Sequence, residues 1–271
     1  MGRLIALFLL AFAATAAEAA GREVPTEAAA PSPPTRVASL GLCTDELVLL
    51  LAVPGQLVSV SYLGHDRHET PLASKARDLH GNDGKFSSVA ALKPDLVVTG
   101  GAVNRFARTL AERTGTRVVD VPPPMTLAEL RANIRTVAAA LGHPARGAAL
   151  IDWMDARLGS PLSPRHSGLM ITAGGLTAAP ESISSELLAY AGIRQTGTPT
   201  GRVSLEGLIA APPPLLIHSR YRSGQYSLPQ EWIDSAVRVA GTRNIEVDGR
   251  AWLCPGPLAA ADVARLRETI R

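Results

Sequence analysis

What the chain has little of narrows it first. Aromatic residues make up only 4% of its 271 residues, so the stacking platforms of single-strand nucleic-acid binders are scarce. There is no run of Lys and Arg and no basic helix, and the formal net charge is only +3. So mild a balance argues against a nucleic-acid partner, although the isoelectric point is about 9.1. Beyond the N-terminus, no stretch is long and apolar enough to cross a bilayer. Catalytic signatures are missing too: no GxSxG elbow, no HExxH and no P-loop, and Gly81–Lys85 (GNDGK) lacks the P-loop spacing. No catalytic residue is therefore assigned, and the chain is not expected to be an enzyme. Cysteine is confined to Cys43 and Cys254. Two cysteines in an oxidising compartment allow one disulfide, but sequence alone does not establish contact.

What is present begins with an export signal. Arg3 precedes the apolar run Leu4–Ala14, and small residues follow to Ala17-Glu18-Ala19. That is the pattern of a secretory signal peptide over residues 1–19, with cleavage after Ala19. No cysteine sits at the cleavage site to carry a lipid anchor. Residues 20–35, rich in Ala, Pro and Glu, read as a disordered leader. The hydrophobic content of 46% lets the remainder bury a sizeable core, as one large domain or two lobes.

One stretch organises that remainder. Pro144–Leu158 (PARGAALIDWMDARL) places Leu150, Ile151, Met154 and Leu158 at helical spacing. Pro144 suits a first helical position, and Gly159 with Pro161 ends the run. Such a helix spans roughly two dozen Å, about the width of a small lobe. It reads as a strut between two halves of similar grammar. The expected divisions are a first lobe over 36–124, a helical section with the strut over 125–160, and a second lobe over 161–271.

In the first half, strands are predicted at Arg36–Leu40, Gln56–Ser61, Asp95–Thr99 and Arg117–Val121. Helices alternate with them, the first capped by Thr44-Asp45-Glu46. Tyr62 to Phe86 reads as one long polar loop, a length that often carries function. Leu127, Leu130, Ile134, Val137 and Leu141 mark a helix over 126–141, with a Thr126/Glu129 capping box. In the second half, strands are predicted at Gly168–Thr172, Leu215–His218, Asn244–Val247 and Arg250–Leu253, with a closing helix over 259–270. Alternating strands and helices make this an α/β protein with parallel sheets. Ligands of such sheets bind beyond the carboxyl ends of the strands. The loops after Leu40, Ser61, Thr99, Thr172 and His218 are the predicted cleft.

The order RVASLGLCTDELVLLLA, QLVSVS, SSVAALKPDLVVTGG, RVVDVP, a helical section, SISSELLAYAGI and VSLEGLIAAPPPLLI resembles the periplasmic substrate-binding proteins of ABC importers for vitamin B12, ferric siderophores and haem. The most specific piece is the short helix followed by LKPDLVV, echoed in the second half by VSLEGLIAAPPPLLI. The resemblance implies two Rossmann-like lobes joined by a rigid backbone helix. It also implies a soluble periplasmic monomer, a small-molecule metal chelate as cargo, no intrinsic cofactor, and an importer permease as partner. Members carry an exposed glutamate on each lobe for docking to the permease. Glu206 falls on the second-lobe position, whereas the first-lobe position falls on Ser87, which is not acidic.

Several residues stand out as ligand-binding candidates. Cys43 and Cys254 follow strand-like runs and could meet across the cleft as a disulfide or as soft ligands. The alternative is two separate small buried residues. A bridge needs Cα atoms within about 7 Å. His65 and His68 with Asp66 have spacing compatible with a metal, although polar loops contain such pairs by chance. Tyr62 beside them offers an axial ligand to haem or cobalt. Trp252 could pack on a planar ligand or sit in the core, and Trp153 on the strut reads as core. Arg220, Tyr221, Arg222 and Tyr226 offer cations and phenols for an anionic, amphipathic ligand, or form a solvated loop. Asn104, with Arg105, and the Gly174-Gly175 turn are weaker cleft candidates. The leading expectation is an exported solute-binding protein that delivers a corrinoid or ferric chelate. A non-transport sensor or accessory protein is the alternative, favoured by Ser87 and a lobe-tying disulfide. A periplasmic hydrolase on the same frame would need a nucleophile–base pair that the sequence does not display.

Overall fold

A computed structural model describes residues 32–101, 105–198, 200–220 and 228–270. The expected signal peptide and most of the leader lie outside the described residues, as do Asn104, Tyr221, Arg222 and Tyr226. The first lobe runs β1 (Val37–Ser39), α1 (Leu42–Leu51), β2 (Leu57–Ser61), α2 (Tyr62–His65), β3 (His80–Asn82), α3 (Phe86–Val89), β4 (Leu96–Thr99), α4 (Arg105–Arg113) and β5 (Arg117–Asp120). Its strands form one parallel sheet in the order β3-β2-β1-β4-β5. Two long helices follow, α5 (Leu127–Ala140) and α6 (Pro144–Leu158). The second lobe contains β6 (His166–Ile171), α7 (Ile183–Tyr190), β7 (Ile193–Gln195), α8 (Leu205–Ala210), β8 (Leu215–Arg220), α9 (Leu228–Ala240), β9 (Arg243–Asp248), α10 (Gly249–Leu253) and α11 (Pro257–Thr269). Its sheet is also parallel, ordered β7-β6-β8-β9. The α/β architecture of two parallel-sheet lobes joined by a helical section is therefore present.

The helical section follows the hydrophobic period. Leu127, Leu130, Ile134, Val137 and Leu141 are all buried. The Thr126 hydroxyl accepts from Glu129 N at 3.1 Å and caps α5. On α6, Ile151, Met154 and Leu158 are buried, and Gly147 joins them. A Cβ at Gly147 would stand 2.5 Å from the Ala138 Cβ, so glycine lets α5 and α6 close. Arg131 on α5 pairs with Asp155 on α6 at 2.7 Å. Arg146 at the start of α6 donates to Leu51 O of the first lobe at 2.7 Å. At the other end, Arg267 of α11 donates to Leu158 O. The strut is thus hydrogen-bonded to one lobe at each end. One buried apolar cluster runs through both lobes and the helices between, including Val60, Leu96, Ile134, Met154, Met170 and Ile217.

Three predicted elements need correction. The long polar loop contains the edge strand β3, whose sequence HGN carries no apolar alternation. It is held instead by Asn82 Nδ2, which donates to Ser39 O and Ser59 Oγ at 2.8 Å each. Arg250–Leu253 is the helix α10 rather than a strand, because the Asp248 carboxylate accepts from Arg250 N and caps it. Thr44-Asp45-Glu46 does not cap α1: the N-cap is Gly41, and all three residues are buried inside the helix. The short strand β7 carries no signal that distinguishes it from a connector.

The strut core supplies the first test. Leu158→Ala should cost about 2–5 kcal/mol in urea unfolding. Asp152→Ala, on the exposed face of the same helix, should stay within about 0.5 kcal/mol.

Candidate functional site

The carboxyl ends of the first sheet form one wall of a cavity of about 480 Å³. Gly41 to Thr44 enter it after β1, Leu63 after β2, Gly100 after β4, and Val121 to Pro124 after β5. Leu130 and Asn133 of α5 lie on its side, and Leu253 to Pro257, the turn between α10 and α11, form the opposite wall. Its size is that of a small-molecule site, and most of its wall is Leu, Pro, Val and Gly. The predicted loops after Leu40, Ser61 and Thr99 therefore contribute. Those after Thr172 and His218 do not line it among the described residues.

Cys43 and Cys254 form a disulfide in this wall, with their Cα atoms 5.2 Å apart and a sequence separation of 211. Cys43 lies at the start of α1 and Cys254 just after α10, so the bond joins the two lobes. A second tie runs parallel to it: Arg250 Nη1 donates to Arg67 O at 2.9 Å. Arg250 is itself fixed by Asp248, at 2.6 Å.

Behind Cys43, α1 carries two buried acids. Asp45 is fully buried, and its carboxylate accepts from Ser61 N at 3.2 Å and from Ser61 Oγ at 2.5 Å. A Cβ at residue 64 would stand 2.8 Å from Asp45 Oδ2, so Gly64 makes room for it. Glu46 is 5% exposed, lines the cavity, and accepts from Thr70 Oγ1 at 2.8 Å. Burial pushes Asp45 up to about 6 against its bonds to serine. It pushes Glu46 up to about 8, with the Thr70 bond opposing and the Asp45 charge adding to the rise. Their place near the helix start suggests a cap, which the burial of both side chains overrules. Their signal was a charged pair inside an otherwise apolar run, LCTDELVLLL.

The other candidates separate. Tyr62 opens α2, 61% exposed, next to Leu63 of the cavity wall. His65 ends α2 half-buried, and its Nε2 is buried without a hydrogen-bond partner among the described residues. Asp66 accepts from His68 N at 2.8 Å, which shapes the turn. Among the described residues, no group of three or more His, Cys, Asp and Glu is placed to hold a metal ion. Trp252 is a core residue: it is 6% exposed, and its Nε1 donates to buried Asp262 at 2.7 Å. Trp153 packs half-buried against the core with the Arg157 guanidinium 3.7 Å above its ring. Arg220 is not offered to the cavity, because Asp234 and Glu246 engage its guanidinium, the latter at 3.0 Å. The Gly174-Gly175 turn is structural: a Cβ at Gly175 would stand 2.8 Å from the Trp232 ring. Ser87 on α3 and Glu206 on α8 are both exposed. Ser204 accepts from Gly207 N at 3.0 Å to cap the helix that presents Glu206.

Residues 37–160 match the family model described as periplasmic binding protein. No match was found among curated protein sequences. The fold is that of several solved structures. A periplasmic haem-binding protein of Pseudomonas aeruginosa is 23% identical with a TM-score of 0.61, over 87% of this chain and 92% of that one. The periplasmic haem-binding protein HutB of Vibrio cholerae is 17% identical with a TM-score of 0.67, over 87% and 98%. The periplasmic vitamin B12 binding protein of the same organism is 19% identical with a TM-score of 0.59, over 88% and 98%. The resemblance read from the sequence therefore holds: the family model covers the first lobe and strut, and the shared fold extends over both lobes. These relatives are binding proteins by name. No described helix is long and apolar enough to cross a membrane.

Two stability tests follow from the site. The paired change Cys43→Ser with Cys254→Ser should cost roughly 2–5 kcal/mol, by releasing a very long loop in the unfolded chain. Reduction of the native protein should give the same loss in denaturant titration. The second test is pH. Both buried acids are raised when folded, so their neutral forms favour folding fully below about pH 4. That contribution is lost as pH rises through about 6 for Asp45 and about 8 for Glu46. The melting temperature should fall across this window, and Glu46→Gln should flatten its upper part.

Proposed function

We propose that this chain is an exported solute-binding protein that holds a small metal chelate between its lobes and delivers it to an ABC importer. The observation that carries this reading is the apolar cavity at the carboxyl ends of the first sheet, closed by the α10–α11 turn of the second lobe. It occurs in a fold shared with haem- and vitamin B12-binding proteins. The cargo is a corrinoid, a ferric siderophore or haem. The exposed Tyr62 phenol, next in sequence to Leu63 of this wall, is the axial ligand offered to the metal in this reading. The protein works by binding, needs no resident cofactor, and acts as a periplasmic monomer once its signal peptide is removed. Glu206 and Ser87, exposed on the two lobes, form the docking face for the permease, with Glu206 as its acidic contact.

The inter-lobe disulfide and the absence of an acid at Ser87 favour a second reading, a sensor or accessory protein that binds the same ligand without passing it to a permease. The two readings part in cells. Thermal shift and absorbance titration with haemin, cyanocobalamin, cobinamide and ferric siderophores should show stabilisation by one class. At a hundredfold excess over Kd, mass action supplies about 2.7 kcal/mol. Failure of all of them would defeat the chelate reading. Glu206→Ala should leave that binding unchanged and reduce uptake of the ligand. Undiminished uptake would shift the assignment to the accessory protein.

A further inference from the structure

Glu46 is out of keeping with its surroundings. It is the only ionisable side chain lining the cavity among the described residues, apart from the cysteines locked in the disulfide. Its carboxyl is held rather than loose. Leu72 N donates to Thr70 Oγ1 at 3.2 Å, so the threonine hydroxyl is oriented and gives its own proton to Glu46 Oε1 at 2.8 Å. No other hydrogen bond reaches the Glu46 carboxyl within the described residues. Because Oε1 accepts, a proton on this carboxyl sits on Oε2, which leaves that oxygen as a donor for the cavity that the residue lines. Burying a charged carboxylate against Leu47, Leu63 and the proline turn would be costly, whereas a neutral acid needs only one further partner.

We propose that Glu46 is a specificity-determining residue of the cleft, donating a hydrogen bond from its carboxylic acid to an uncharged carbonyl on the buried edge of the ligand. This rests on the chelate-binding reading and narrows it. No cation lines the cavity among the described residues, so a carboxylate on the ligand would be desolvated there without a counter-charge. An amide carbonyl meets the same donor without that cost. The ligand class is a metal chelate rimmed with amides, of which a corrinoid and an amide-linked ferric hydroxamate are two sources. The raised pKa of Glu46 fits this role, since the donor survives at neutral pH and is lost as pH rises through about 8. Other ionisable groups stand nearby. Asp45 is on the same helix, engaged by Ser61, and His65, Asp66, His68 and Glu69 lie on the segment that carries Thr70. The Gln variant separates the response of Glu46 from theirs.

The test uses the full chain with its disulfide intact. Wild type, Glu46→Gln and Glu46→Leu are titrated with cobinamide, a ferric hydroxamate and haemin at about pH 7 and about pH 9, on either side of the raised Glu46 value. One of the two amide-bearing probes should bind wild type, and which one names the source. Its affinity should fall about tenfold between the two pH values, as a hydrogen-bond donor is lost. Glu46→Gln, which keeps a donor at both pH values, should hold within about threefold of the wild-type affinity at the lower pH throughout, and Glu46→Leu should bind about tenfold more weakly than wild type at the lower one. Infrared spectra of the unliganded protein near neutral pH should show a protonated-carboxyl stretch that Glu46→Gln removes. A missing band overturns the proposal whatever binds. So does a Glu46→Leu variant that binds the amide probe as wild type does, and so does binding of haemin alone; both of these leave the chelate reading standing. Binding of no probe to wild type defeats the chelate reading, and this inference with it.

Discussion

The buried contact between α5 and α6 is the constraint on which the rest depends. Gly147 against Ala138 brings the two helices together, and Ile134, Met154 and Leu158 carry one apolar core from the first sheet to the second. A core continuous across both lobes resists their separation, because parting them would expose apolar area from each. Arg146 and Arg267 add hydrogen bonds at the two ends of the strut. The cavity is therefore set between lobes whose relative placement is already specified.

The disulfide lies in the wall of that cavity, and the Arg250–Arg67 bond is a second tie between the same two lobes. Strut and bridge lie on different elements and act together: one fixes the lobes through burial, the other through a covalent bond in the cavity wall. A site held at both sides is preorganised, and a ligand that fits it loses little free energy to ordering the protein. Rigidity of this kind favours selection by shape and by a few fixed polar groups. In this wall, the fixed ionisable group is Glu46.

Much of the frame was legible in the chain. Strand and helix alternation, the α5 stripe and the strut with its Pro144 start follow from local periodicity and capping, which are properties of neighbouring residues. The same logic misread Arg250–Leu253, because its apolar content suits either element and the Asp248 cap decides between them. It missed β3 and β7, whose short polar sequences become strands only because a parallel neighbour supplies their hydrogen bonds. It also took Asp45 and Glu46 for a cap, since acids at a helix start normally serve that end.

Local patterning is enough for the layered α/β plan, the two-lobed division around a strut, and the strand ends at which a cavity would open. Each of these rests on patterns within a few turns of chain. Which residues meet there is set by the packing of the folded chain. That packing joined Cys43 to Cys254 across a sequence separation of 211, withdrew Trp252 to Asp262 and Arg220 to Asp234, and set Glu46 in the cavity wall with Thr70 behind it. Those pairings depend on how two separate sheets are brought face to face, a relation between distant segments that no local spacing encodes.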